Sequence, residues 1–205
     1  SEFRLNADYY YNRISDKIIA YPKGQQFRWT MLNLGLVKIN GVDVNAQLHF
    51  VLPMDFYLTA KAQYTYQTAI DVTDPNDTYY GDQIPYIPWH SGSAVGIFGW
   101  QNDWQQYGLN YSFIYVGERY NQQENIIYNY TQPWYTHDLS LVGEWDIKPI
   151  SHSRKAASNR QNAVQYPIVL RLALDINNLL SQDYDVILNY PMPKRNYKCT
   201  ISITY

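Results

Sequence analysis

The final nine residues of the chain, 197–205 (YKCTISITY), alternate between apolar and polar side chains as far as a C-terminal tyrosine. Side chains of a β-strand point to opposite faces in turn, so this segment predicts a half-buried strand. An apolar face that ends in an aromatic residue is typical of a transmembrane β-barrel. In such a barrel one face meets lipid, the other meets a polar interior, and aromatic residues mark the interface.

The same alternation recurs along the chain and predicts about eight antiparallel strands. The clearest segments are 3–12, 42–52, 56–67, 139–147 and 168–176, with weaker ones at about 92–102 and 107–120. Helical periodicity is absent from every useful window. The predicted fold class is therefore all-β, with antiparallel transmembrane barrel strands, and Gly41 is expected to mark a bulge.

The predicted connections alternate in length. Tight turns fall at 53–55 and 103–106, whereas long segments surround 21–31, 71–90, 121–135 and 181–195. Short periplasmic turns and long extracellular loops are the pattern of outer-membrane barrels. The segment 149–166 breaks this pattern, because it lies where a short turn is expected but is long, basic and rich in serine and asparagine. A flexible loop is the expectation there.

Composition and charge argue against a nucleic-acid partner and against membrane-spanning helices. The net charge is −2 at pH 7 with no basic stripe, which argues against nucleic acid. No segment approaches the roughly 18 consecutive apolar residues of a membrane helix. The 22 tyrosines and 6 tryptophans are the compositional outlier, and they suit aromatic girdles and a binding rim. The single cysteine, Cys199, lies on the apolar face of the last predicted strand and behaves as a small hydrophobe.

No catalytic or metal-binding constellation can be assembled from the residues. The four histidines, at 49, 90, 137 and 152, lack HExxH or close paired spacing, and no nucleophile-elbow, P-loop or dinucleotide motif is present. The acids of the 71–82 loop lack EF-hand spacing and are interpreted as solvated loop residues. We therefore predict that the chain is not an enzyme and has no cofactor and no metal site.

Five segments together resemble the C-terminal barrel portion of a TonB-dependent outer-membrane receptor. Residues 115–120 (YVGERY) resemble the strand end Y-V-G-x-R-Y, and residues 84–90 (IPYIPWH) resemble the loop exit V-P-x-x-P-x-H. Residues 172–184 resemble the block L-x-V-x-N-L-F-D-x-x-Y, and residues 190–197 (YPMPKRNY) resemble the lead into the final strand. Residues 33–43 resemble the family's strand pattern N-x-G-x-x-x-x-x-G-V-E. Lys194 departs from the family pattern, which usually has glycine there.

The resemblance implies that this chain is one part of a larger receptor. A full barrel of this family has about 22 strands, so residues 1–205 would supply its last eight, and the plug domain, the TonB box and the first strands would lie elsewhere. The implied location is the bacterial outer membrane, in contact with its lipid. The implied activity is import of a scarce bulky ligand, an iron–siderophore complex, haem or cobalamin, driven by the TonB complex through the plug.

The resemblance also implies that the extracellular loops bind the ligand, so aromatic residues of the loops are the candidate ligand contacts. They are Tyr79, Tyr80, Tyr86 and Trp89 in one loop, Tyr128, Tyr130, Trp134 and Tyr135 in another, and Tyr184 and Tyr190 in the last. Trp89, Trp134 and Tyr135 have an equally good alternative role as girdle residues at strand ends.

Two other interpretations remain open at this point. A self-contained eight-stranded outer-membrane barrel could act structurally or as an adhesin, because eight strands can close. A soluble all-β module could bind carbohydrate through stacking tyrosines, but its apolar rows would then have to be covered by a second sheet.

Overall fold

The structure is a computed structural model that describes residues 1–23, 28–147 and 168–204. The strands are β1 (Glu2–Lys23), β2 (Arg28–Val51), β3 (Phe56–Asp71), β4 (His90–Gln101), β5 (Gln105–Val116), β6 (Arg119–Tyr120), β7 (Tyr130–Thr131), β8 (Trp134–Ile147), β9 (Ile168–Asn177), β10 (Asp185–Ile187), β11 (Tyr190–Pro191) and β12 (Asn196–Thr204), with one 3-10 turn at Ile127–Asn129. The described residues include no helix that could cross a membrane. The basic segment 149–166 and the terminal Tyr205 lie outside the described residues.

Eight strands form one antiparallel sheet in the order β1-β2-β3-β4-β5-β8-β9-β12. Each strand therefore lies beside its neighbour in the chain, as in an up-and-down meander, and the pairs β6–β7 and β10–β11 form small hairpins within two of the loops. The predicted all-β antiparallel class is confirmed. β1 and β12 are the two edges, so the sheet formed by the described residues is open.

The strand register collects the apolar side chains on one face of the sheet. One row of directly opposed residues crosses all eight strands: Phe3, Leu48, Ala60, Gly96, Tyr111, Leu139, Ile176 and Tyr197. We call this side the apolar face. Its large side chains are exposed, with Leu141 at 53% and Ile201 at 69%, so no second sheet of described residues covers them.

Aromatic residues form two bands on the apolar face. The turn-end band holds Phe56, Phe98, Trp100, Tyr107 and Trp145, and the loop-end band holds Tyr64, Tyr66, His90, Tyr111, Phe113, Tyr135 and His137. Along β8, Tyr135 and Trp145 are ten positions apart. At about 3.4 Å per residue and a tilt of about 45°, this separation spans about 24 Å, the height of the apolar belt of an outer-membrane barrel.

The opposite, polar face is hydrogen-bonded between strands. Tyr10 Oη donates to Gln67 Oε1 at 2.9 Å, and Thr65 Oγ1 donates to Asp43 Oδ1 at 2.6 Å. Charged side chains lie on this face at mid-strand, such as Lys61, whose strand neighbour across the ladder is Gln47. A face of this kind suits a hydrated barrel interior.

Two details of the predicted strands are wrong. A loop was expected at 21–31, but β1 and β2 continue as a paired hairpin as far as Lys23 and Arg28, because strand-forming residues such as Ile18 and Ile19 extend the ladder. No bulge occurs at Gly41, since the register is regular on both sides of it. The glycine instead leaves room for the Tyr10 ring, which occupies the space that a Cβ would need.

Candidate functional site

Three long connections meet at one end of the sheet, and we call them loop A (72–89), loop B (117–133) and loop C (178–195). They join β3 to β4, β5 to β8 and β9 to β12. The turns at the opposite end, 52–55 and 102–104, are short. The predicted alternation of tight turns and long loops is confirmed at these five connections. The end that carries the three loops is the loop end of the sheet.

Loop A is built onto the exposed edge of β3. β4 ends its pairing with β3 at His90, so the last residues of β3 need other partners. Gln83, which is 1% exposed, supplies them: its Oε1 accepts from the Ala69 amide at 2.7 Å, and its Nε2 donates to the carbonyls of Gln67 and Ile87. Beside it lies the small buried core, composed of Leu34, Val37, Ile39, Ala69 and Ile84.

Loop A is also hydrogen-bonded to loop B. The Tyr86 amide donates to the Tyr120 carbonyl at 2.7 Å, and the Asn125 amide donates to Asp82 Oδ2 at 2.9 Å. Thr78 Oγ1 donates to Glu124 Oε1 at 2.6 Å. Asp82 therefore serves as an acceptor within the loop assembly. Asp74 does so locally, since its Oδ1 accepts from the Asn76 amide.

A buried arginine joins loop B to loop C. The side chain of Arg119 is fully buried, and the residue is 2% exposed. Its Nη2 donates to the carbonyls of Asp185 at 2.7 Å and Val186 at 3.2 Å, and its Nη1 donates to the carbonyl of Gln132 at 3.3 Å. The planar guanidinium suits this task because it carries five donors in a fixed geometry.

The surroundings of Arg119 are electrostatically unusual. Burial lowers the pKa of Arg119, and the nearby Tyr86 and Asp185 partly offset that decrease. Burial likewise raises the pKa of Tyr86, while the Leu188 backbone and Arg119 act in the opposite direction. The guanidinium thus sits among carbonyl dipoles and a phenol, and keeps its charge without forming a salt bridge to a carboxylate of the described residues.

Beneath these loops lies a cavity of about 250 Å³ lined by Ala20, Tyr86, Val116, Arg119, Trp134, Val186 and Ile187. Trp134 borders it and stacks on Tyr184 of loop C, with ring centroids 4.5 Å apart. Burial raises the pKa of Tyr184, and Asp138 adds to the increase. A mostly apolar wall with one guanidinium and the phenol of Tyr86 can hold an aromatic or anionic group of that size.

The structure separates the ten candidate aromatics into four groups. Tyr86, Trp134 and Tyr184 surround or adjoin the cavity, and Trp89 and Tyr130 contact Tyr120 edge-on. Tyr79, Tyr80, Tyr128 and Tyr190 lie on the loop surfaces, with Tyr128 being 90% exposed at the tip of loop B. Tyr135 lies in the loop-end aromatic band against Phe113 and His137, on the apolar face.

Two residues that organise this site were not among the candidates. Arg119 is the arginine of the 115–120 motif, and Gln83 belongs to none of the motifs, but the role of each depends on loop packing. Arg119 could have been suspected, because it is a lone cation between an apolar strand end and Tyr120. Gln83 has no comparable signal in the sequence.

Gly117, which begins loop B, provides a test of this packing. A Cβ at Gly117 would lie 2.6 Å from the His90 carbonyl oxygen, which accepts a hydrogen bond from the Gly117 amide. We expect Gly117→Ala to lower the free energy of unfolding by about 1–3 kcal/mol, because backbone must move. Gly96→Ala is the matched control, since its Cβ would meet nothing within 4 Å. Equal stabilities of the two variants in denaturant titrations would contradict the packing described here.

Comparison with known proteins agrees with this architecture. Residues 1–179 match the family described as "TonB dependent receptor-like, beta-barrel". Among solved structures, the chain is similar to BauA, the ferric preacinetobactin receptor from Acinetobacter baumannii, with a TM-score of 0.65 at 12% sequence identity. That match covers 98% of this chain and 27% of BauA, so the chain spans about a quarter of the length of that receptor. At this identity the likeness concerns the fold alone.

The family match covers most of the chain and includes β1 to β9, the two aromatic bands, and loops A and B. The chain therefore belongs to the TonB-dependent receptor-like β-barrel family.

Proposed function

We propose that this chain forms the last eight strands of a barrel in the bacterial outer membrane, and that the complete receptor imports a scarce, bulky ligand with energy from the TonB complex. The observation that carries the proposal is the continuous apolar face with its two aromatic bands, which ends at three interlocked loops. Barrels of this family lie in the outer membrane. The plug and the remaining strands would come from other parts of the receptor.

An iron–siderophore complex is the preferred ligand, with haem and cobalamin as alternatives. Support comes from the cavity beside Arg119, where a cation and stacked rings favour an anionic or aromatic group of the ligand. BauA is a receptor for a ferric complex. Tyr128 and Tyr80, exposed on loops B and A, are proposed as first contacts.

The two other interpretations fit the geometry less well. A self-contained eight-stranded barrel needs β1 to pair with β12, yet each of these strands has one partner among the described residues. A soluble sandwich needs a cover for the apolar face, yet side chains such as Ile203 remain 65% exposed.

Uptake by cells tests the proposal. We expect deletion of the receptor gene to abolish TonB-dependent uptake of at least one ⁵⁵Fe-labelled complex from a panel of catecholate and hydroxamate siderophores, with haemin and cyanocobalamin tested in parallel. In the complete receptor, Tyr128→Ala should weaken binding of that complex about tenfold, the effect of losing one well-placed aromatic contact.

Met54→Ala is the matched control for Tyr128→Ala, because Met54 is 81% exposed but lies in a short turn at the opposite end of the sheet. Its uptake should equal that of the unmodified receptor. Unchanged uptake of every panel compound after deletion would overturn the proposed transport function.

A further inference from the structure

The apolar face carries two ionised side chains, and they lie side by side. Between the turn end and Asp16, the described positions on this face are apolar, aromatic or neutral polar except for Arg13 on β1 and Lys38 on β2. Charges elsewhere on these strands, such as Lys61 and Glu144, belong to the polar face. Two cations on a surface that otherwise excludes charge require an explanation.

Arg13 and Lys38 are directly opposite each other in the β1–β2 register. Like charges in directly opposed positions destabilise a sheet. Neither side chain forms an ion pair or a hydrogen bond with any residue that the structure describes. Arg13 is exposed and Lys38 is half-buried. An anion from outside the described residues would remove this repulsion.

Their height on the sheet indicates where that anion lies. Along the apolar face of β1, the apolar residues Phe3, Leu5 and Ala7 are followed by Tyr9 and Tyr11, so β1 carries its own aromatic pair on the loop side of its apolar run. Arg13 lies four positions beyond Tyr9 and two beyond Tyr11, towards the loop end. Aromatic bands mark the edge of the hydrocarbon region. Arg13 and Lys38 consequently project just outside that edge, at the level of lipid headgroups.

We propose that Arg13 and Lys38 together bind a phosphate group in the headgroup of an outer-leaflet lipid. This inference rests on the proposed location in the outer membrane. A guanidinium and an ammonium on neighbouring strands can contact different oxygens of one phosphate, which is the chemistry that best satisfies two adjacent cations. Tyr11, directly below on the same face, can pack against the sugar or glycerol part of the headgroup.

The experiment uses the complete receptor in detergent, titrated with bisphosphorylated lipid A and, separately, with the same lipid after removal of its phosphates. Bound lipid is counted by native mass spectrometry. We expect the double variant Arg13→Gln with Lys38→Gln to bind bisphosphorylated lipid A at least about tenfold more weakly than the unmodified receptor. Removal of the lipid phosphates should weaken binding to the unmodified receptor by a similar factor and leave the double variant unaffected.

Two further variants separate binding from folding. Arg13→Glu places a carboxylate opposite Lys38, so it should preserve or raise thermal stability while abolishing the preference for phosphorylated lipid. Lys61→Gln removes a lysine from the polar face and should bind lipid like the unmodified receptor.

Equal lipid affinity of the double variant and the unmodified receptor, or equal affinity for lipid with and without phosphates, would overturn this proposal. The titration involves no transport, so its failure is distinguishable from failure of the uptake assay.

Discussion

Replacement of Arg119 by methionine should destabilise the loop end of the sheet by about 3–5 kcal/mol, because it leaves carbonyl groups of loops B and C without their donor. Arg119 is 2% exposed and bonds the carbonyls of Gln132, Asp185 and Val186. Hydrogen exchange of the complete receptor should show loop C losing protection, and uptake of the transported complex should fall accordingly. Methionine keeps most of the side-chain volume, so the loss reports the hydrogen bonds.

Arg195→Met is the matched control for this prediction. Arg195 also donates to a carbonyl of loop C, from Nε to Leu179 at 2.8 Å, but it is exposed and makes that single bond. Water can replace it, so we expect a change below about 1 kcal/mol. The account of a buried cross-loop anchor fails if the two arginine variants lose stability and loop protection to the same extent.

Substitution of Leu141 by arginine should prevent stable insertion of the barrel. Leu141 lies on the apolar face of β8, between Tyr135 and Trp145 and near the middle of that span, opposite Leu109 and Leu174. A charge at the middle of the lipid face costs about 2–4 kcal/mol. We expect the variant receptor to be depleted from outer-membrane fractions and, in lipid vesicles, to unfold at lower denaturant concentration.

Ser140→Arg provides the control one residue away. Ser140 faces the polar side of the sheet, where its Oγ donates to Asp175, so an arginine there gains a carboxylate neighbour. It should insert at close to the normal level. Similar depletion for both variants, or normal insertion of Leu141→Arg, would show that the apolar face does not meet lipid.

The strands were predictable because their alternation is long and regular. Each side chain on one face of β3, from Phe56 to Tyr66, is apolar or aromatic, and a period of two leaves little freedom in the assignment. The ends of the strands were less predictable. The β1–β2 hairpin extends into a segment that reads as a loop, since pairing with a neighbouring strand stabilises residues of ordinary polarity.

The site was predictable in composition but not in arrangement. Loop aromatics such as Tyr86, Trp134 and Tyr184 could be proposed from their position between strands, whereas their convergence on one cavity depends on contacts between loops. For Tyr135 the sequence leaves two roles open, a ligand contact or a girdle residue, and the register places it on the apolar face. Arg119 stands in a recognisable motif, but its carbonyl partners in loop C are 66 and 67 residues away, and no local pattern indicates them. Gln83 has no signal of its own in the sequence.

The most direct test of the central claim is the intact mass, with N-terminal sequencing, of the polypeptide that carries this sequence in isolated outer membranes. The proposed function predicts a polypeptide several times heavier than the 24.1 kDa of this chain, with a plug domain before the barrel. A product of 24.1 kDa, or one recovered outside the outer membrane, would contradict the claim that these strands complete a larger receptor.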